Sequence, residues 1–108
     1  MTFRFQKLRT DPEVFLIAQA VAQERHVPLS HMLRHSRGSG HAASARQLAI
    51  YLAHVLLARP QDVVADLFHR KRTTVTHAVQ IMEMRRDDPK IEAEIERIEA
   101  HLELRHAA

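Results

Sequence analysis

Pro60-Gln61-Asp62-Val63-Val64-Ala65-Asp66-Leu67-Phe68-His69-Arg70-Lys71-Arg72-Thr73-Thr74-Val75-Thr76-His77-Ala78-Val79-Gln80-Ile81-Met82 reads as two helices joined by a basic turn. In the first helix Val63, Val64, Leu67 and Phe68 recur at the spacing of one helical face and predict an inward stripe. In the second, Val75, Ala78, Val79 and Met82 form the buried stripe, so Thr74, His77 and Gln80 fall away from it. Thr73 stands where a hydroxyl can cap the second helix. A short helix, a tight turn and a second helix with small polar side chains near its start is the geometry that carries base-reading groups into the major groove. Arg70, Lys71 and Arg72 at the entrance supply donors for phosphates or guanine edges. A helix-turn-helix is therefore predicted over about residues 60–86.

Outward from this pair, the chain carries repeated helix starts. Asp11-Pro12 and Asp88-Pro89 each set a capping oxygen before a proline at the first helical position, where the missing N–H costs nothing, and Arg59-Pro60 offers the proline without the cap. Helices are predicted at about 12–26, 29–36, 43–58, 60–68, 73–86 and 89–105. Leu48, Tyr51, Leu52, Val55 and Leu56 recur at three- and four-residue steps and mark the third helix as the centre of the core, with Leu52 and Val55 buried. The only two glycines, Gly38 and Gly40, share one polar, basic loop from Arg34 to Ala42, which leaves few turn-makers for a sheet. The expected architecture is all-α: a compact bundle of about six helices in a single domain over residues 1–108.

Composition narrows the function classes. The 108 residues include no cysteine, which removes disulfides, thiolate nucleophiles and cysteine-ligated zinc and suits a reducing interior. Met1 to Lys7 lacks the apolar core of a secretory signal, and no apolar run approaches the ~20 residues that span a bilayer. A cytoplasmic, nucleoid-associated protein without membrane contact is expected. The net charge of +3 conceals a segregation: residues 1–82 hold eleven Lys and Arg against five acids, and residues 83–108 five against eight. No acid lies between Glu24 and Asp62, while Arg25, Arg34, Arg37, Arg46 and Arg59 fall there with five histidines. Such a surface attracts polyanions through phosphate neutralisation, or is simply a solvated basic face.

Other conspicuous features have plainer readings. His31 and His35 lie one helical turn apart with His41 nearby, but no carboxylate accompanies them and no His-Glu-x-x-His occurs, so no metal is expected. Ser36, Ser39 and Ser44 have histidines close in sequence without a Gly-x-Ser-x-Gly elbow, so no catalytic centre is expected. Without a Gly-x-x-x-x-Gly-Lys-Ser/Thr loop, no nucleotide, cofactor or ATPase activity is expected either. Ile91, Ile95, Ile98 and Leu102 repeat at four, three and four residues. Two readings of that stripe stand: packing on its own domain, or a short homodimer seam through the C-terminal helix.

From Val21 to Met84 the chain resembles the C-terminal DNA-binding domain of the bacterial replication initiator DnaA, the reader domain used alone. Val21-Ala22, Leu29 and Met32-Leu33 resemble the first helix of that family and the short helix after it. Arg46-Gln47-Leu48-Ala49-Ile50-Tyr51-Leu52 resembles the Arg-Gln-x-Ala-x-Tyr-Leu signature of its long central helix. Thr73-Thr74-Val75-Thr76-His77-Ala78 resembles the Thr-Thr-Val-x-His-Ala run of its recognition helix, with Phe68 where the family has the Phe before the turn. The resemblance implies a TrpR/DnaA-C-like helical fold, base contacts from Thr73, Thr74 and the residues just before them, and phosphate contacts from Arg46, Gln47 and His77. It also implies a basic loop, here Arg34 to Gly40, that sends an arginine into the minor groove, and Arg37 is the candidate. The chain departs from the family at the turn: Phe68-His69-Arg70-Lys71-Arg72 stands for Phe-Gly-Gly-Arg-Asp-His, one residue shorter and without glycines. The expected function is sequence-specific binding of double-stranded DNA in replication initiation or transcription. The alternative is a protein-interaction adaptor that keeps the fold and turns its basic surface to an acidic partner.

Overall fold

The computed structural model describes the backbone of residues 2–34 and 40–107 and the side chains of residues 6–34 and 40–103. Among these are seven helices and no strand: α1 (Thr2–Arg9), α2 (Pro12–Arg25), α3 (Leu29–Met32), α4 (Gly40–Val55), α5 (Gln61–Phe68), α6 (Arg72–Arg85) and α7 (Pro89–Ala107). The all-α bundle is as expected, with one helix more. The additional element, α1, is too short to hold itself in water and has no cap signal in its sequence. It forms because it lies against α2 and α5 and sinks Leu8 completely into the core. Helix α4 already starts at Gly40, two residues before the expected end of the loop at Ala42, and α3 ends at Met32 rather than near residue 36.

Local chemistry accounts for the ends of the helices. Asp11 accepts a hydrogen bond from the Val14 N–H at 3.3 Å with Pro12 inside the first turn of α2, and Asp88 accepts from the Lys90 N–H at 2.9 Å at the start of α7. Pro60 sits one place outside α5 as its cap residue, so the helix starts at Gln61. Helices α2 and α5 both end in the same way. His26 and His69 take left-handed conformations (φ 55° in each), and the paired bonds His26 N–H to Gln23 O, Val27 N–H to Ala22 O, His69 N–H to Asp66 O and Arg70 N–H to Ala65 O close the last turns.

The core is built around α4. Six consecutive residues, Leu48 to Ala53, are buried on every side, the mark of a central helix. Ala42, Ala45, Ala49 and Ala53 recur at three- and four-residue steps and are all buried, so one stripe of α4 is small and lets its neighbours approach closely. Helix α2 brings Val14, Ile17, Ala18 and Val21 to it, and α6 brings Val75, Ala78 and Met82. Two expected core residues are not there. Val55 is 38% exposed because it is the last residue of α4, and Val63 is 39% exposed because α5 turns Val64, Leu67 and Phe68 inward instead. Leu52→Ala is therefore expected to cost about 2–5 kcal/mol through lost transfer energy and a residual cavity. Val55→Ala should cost less than about 1 kcal/mol. Urea unfolding of both variants checks this, and equal losses would contradict the placement of α4.

Most of the isoleucine stripe of helix α7 packs on its own domain. Ile95, Ile98 and Leu102 are buried within the one chain, on α2, and Ile91 is half-buried. Among the described residues no helix is long and apolar enough to cross a membrane.

Candidate nucleic-acid interface

Helices α5 and α6 and the turn between them, His69 to Lys71, make a helix-turn-helix. The missing glycines do not prevent the turn, because His69 itself takes the left-handed position, at φ 55° and ψ 47°. A side chain there costs roughly 1–2 kcal/mol, and histidine is among the non-glycine residues found there more readily. The relative setting of the two helices is held by Phe68, Val64 and Val75 in the core and by a bond that the hydrophobic pattern does not reveal: Thr76 Oγ1 donates to Gln61 Oε1 at 2.6 Å. Thr76 lies on neither the buried stripe nor the outer face of α6, and that flanking position was the available sign of it.

Helix α6 presents the expected outer face. Thr73, Thr74, His77 and Gln80 are exposed, and Val75, Ala78 and Met82 are buried behind them. Thr73 is not the cap of the helix, because the helix begins one residue earlier than expected, at Arg72. The extended backbone of Lys71 does that work, with its carbonyl accepting from the Thr74 and Val75 N–H groups at 3.0 and 3.3 Å. The Thr73 hydroxyl is left on the outer face. Lys71 and Arg72 are exposed as well. At the other end of α6, Tyr51 donates to Glu83 at 2.8 Å and accepts from Arg86, whose guanidinium also grips Glu92, so the end of α6 is fastened to α4 and α7.

Two of the expected DNA-contacting arginines, Arg46 and Arg70, reach backbone carbonyls near the end of α3. Arg46 donates from Nη1 to the Met32 carbonyl at 3.1 Å, and Arg70 donates from Nη2 to the Arg34 carbonyl, so α4 is tied to the last residue of α3 and the turn to the residue two places beyond it. Burial lowers Arg46 from the ordinary arginine pKa, but an arginine stays protonated at neutral pH. Arg46 has no carboxylate partner among the described residues, and Gln47 beside it is half-buried. Arg34 is exposed. Arg37, the candidate for the minor groove, lies outside the described residues, as do His35, Ser36 and Ser39.

Two arginines of the acid-free stretch do other work. Arg25 pairs with Glu94 of α7 and donates to Ser44 Oγ at 2.8 Å, and Arg59 pairs with Asp11 and Glu13 at the start of α2. The hydrogen bonds from Arg59 hold the Asp11 carboxyl below its ordinary pKa. Their acids lie far away in sequence, so the absence of nearby acids concealed the pairing. His41 is likewise engaged, with Nε2 2.8 Å from the Arg25 carbonyl. Arg34, Lys71 and Arg72 are exposed and Arg46 and Arg70 half-buried, and Arg34, Arg46, Lys71 and Arg72 have no acidic partner among the described residues, in keeping with an interface for a polyanion.

Comparison with known families adds one match. The model described as the bacterial dnaA protein helix-turn-helix matches residues 14–81, which covers α3 to α5 and most of α2 and α6. No curated protein matches the chain.

Proposed function

Because the chain belongs to the bacterial DnaA helix-turn-helix family, a family of DNA-binding domains, we propose that it binds specific sites in duplex DNA with α6 in the major groove. The observation that carries this reading is the outer face of α6, where Thr73, Thr74 and His77 are exposed next to Lys71 and Arg72 at the start of the helix. In this reading Thr73 and Thr74 meet bases in the major groove, and the cations just before them, Arg70, Lys71 and Arg72, stand at its entrance with donors for phosphates or guanine edges. Arg46, Gln47 and His77 hold the phosphate backbone, while Arg34 and Arg37 serve the backbone or the minor groove. The protein acts in replication initiation or transcription by occupying sites, without nucleotide hydrolysis.

Thr74→Ala separates reading from attraction. Its side chain is neutral and adds nothing to long-range attraction, but its hydroxyl can bond a base edge and its methyl can pack on the thymine methyl. The substitution is expected to weaken binding to a duplex selected from a random library by about 1–3 kcal/mol, with binding to random duplex nearly unchanged. Binding titrations on both duplexes at one stated salt concentration measure this, with circular dichroism showing that the variant is folded. Equal losses on the two duplexes would reject base reading by α6 and favour an adaptor or a purely electrostatic binder.

A further inference from the structure

Three successive cations of the turn stand in three different situations. The fork of Arg70 is engaged, with Nη2 on the Arg34 carbonyl and Nη1 on the His69 carbonyl at 3.2 Å. Lys71 is exposed, but its ammonium is a point charge without a fork. Arg72 is the first residue of α6, is exposed, and has no hydrogen-bond or acidic partner among the described residues. No acid occurs between Asp66 and Glu83 in the sequence, so no nearby carboxylate along the chain competes for its guanidinium. Such a fork matches O6 and N7 of guanine, the commonest base-specific pairing in the major groove, and the first residues of a recognition helix are those that meet base edges.

We infer that Arg72 reads a guanine, so that the duplexes this chain prefers carry a G·C pair opposite the start of α6. The inference rests on the base-reading role proposed above. Within it, Thr73 and Thr74 meet the neighbouring base pairs, Lys71 holds a phosphate, and Arg70 is a positioning residue that ties the turn to the segment after α3.

Selection by the full chain from a random-sequence duplex library is expected to return sites with one invariant guanine. Arg72→Ala should bind such a site about 5- to 150-fold more weakly and lose the guanine preference, with only a small loss on random duplex. Arg72→Lys, which keeps the charge and removes the fork, should lose the preference too. Placing 7-deazaguanine at the invariant position removes N7 but keeps the base pair. It should weaken the unmodified protein by about fivefold or more and leave Arg72→Ala unaffected. A preference for guanine that survives in Arg72→Ala, with equal losses on selected and random duplexes, would overturn the inference and make Arg72 a phosphate contact. Selected sites without an invariant guanine would overturn it as well. If the unmodified protein enriches no sequence at all, the base-reading role itself fails, and that result is distinct from the other two.

Discussion

Glu94→Ala is expected to lower the stability of the chain by about 3–5 kcal/mol, the cost of leaving a buried charge without its partner. Arg25 and Glu94 are 12% and 11% exposed at their side chains and meet through two parallel bonds, Nε to Oε2 at 2.9 Å and Nη2 to Oε1 at 2.8 Å. The third contact of Arg25, to Ser44, brings α4 into the same junction, so one guanidinium joins α2, α4 and α7. Without Glu94 the cation stays among packed helices, and the hydroxyl of Ser44 cannot neutralise it. An apolar replacement of both members should be far less harmful, because the desolvation cost disappears together with the attraction. A useful control is Glu24→Ala, which removes the pairing with Arg97 on the surface. Arg97 is 58% exposed at its side chain, and the loss there should stay below about 1 kcal/mol. Urea unfolding of both variants, with the slope checked for change, gives the comparison. If Glu94→Ala were no worse than Glu24→Ala, the junction would not hold α7 to the bundle.

That junction also marks how far the sequence could be read. Elements whose signals are local were legible. The Asp-Pro starts, most of the stripes of α4 and α6 and the small polar outer face of α6 are set by neighbours within one or two helical turns, and the structure has Leu48, Tyr51, Leu52, Val75, Ala78 and Met82 buried as expected. Features made by residues distant in sequence were not. Arg25 is paired with an acid 69 positions away and Arg59 with one 48 positions away, so the acid-free stretch that contains them suggested a broader basic surface than the fold provides. Helix α1 owes its existence to a docking site on α2 and α5 rather than to its own propensity. Val55 and Val63 keep to the period of their helices, yet one stands at a helix end and the other on the outer edge of a short helix, where periodicity does not determine burial. Of the candidate site, the outer residues of α6 could be placed from the sequence, whereas the capping role of Lys71 and the tether from Arg70 to Arg34 depend on backbone conformations that no residue pattern announces.

The affinity for duplex DNA is expected to fall by about 10²- to 10³-fold between about 50 and about 200 mM salt. Each cation that neutralises a phosphate releases condensed counterions and contributes about −0.9 to the slope of log affinity against log salt. The proposed set is Arg34, Arg37, Arg46, Arg70, Lys71 and Arg72. If all of them face phosphates the slope is roughly −5.4. If Arg70 keeps to its carbonyls and Arg72 turns to a base, the slope is roughly −3.6. Because the slope depends on phosphates and not on bases, random duplex should show much the same value as a selected site. Arg46→Ala should weaken both duplexes and lower the slope by about one unit, since its fork, held at one nitrogen by the Met32 carbonyl, has donors left for an anion. Thr74→Ala should leave the slope where it was. Titrations at four or more salt concentrations measure these slopes directly. An affinity indifferent to salt, or a slope that Arg46→Ala does not change, would remove the phosphate role from this part of the surface, whichever bases α6 reads.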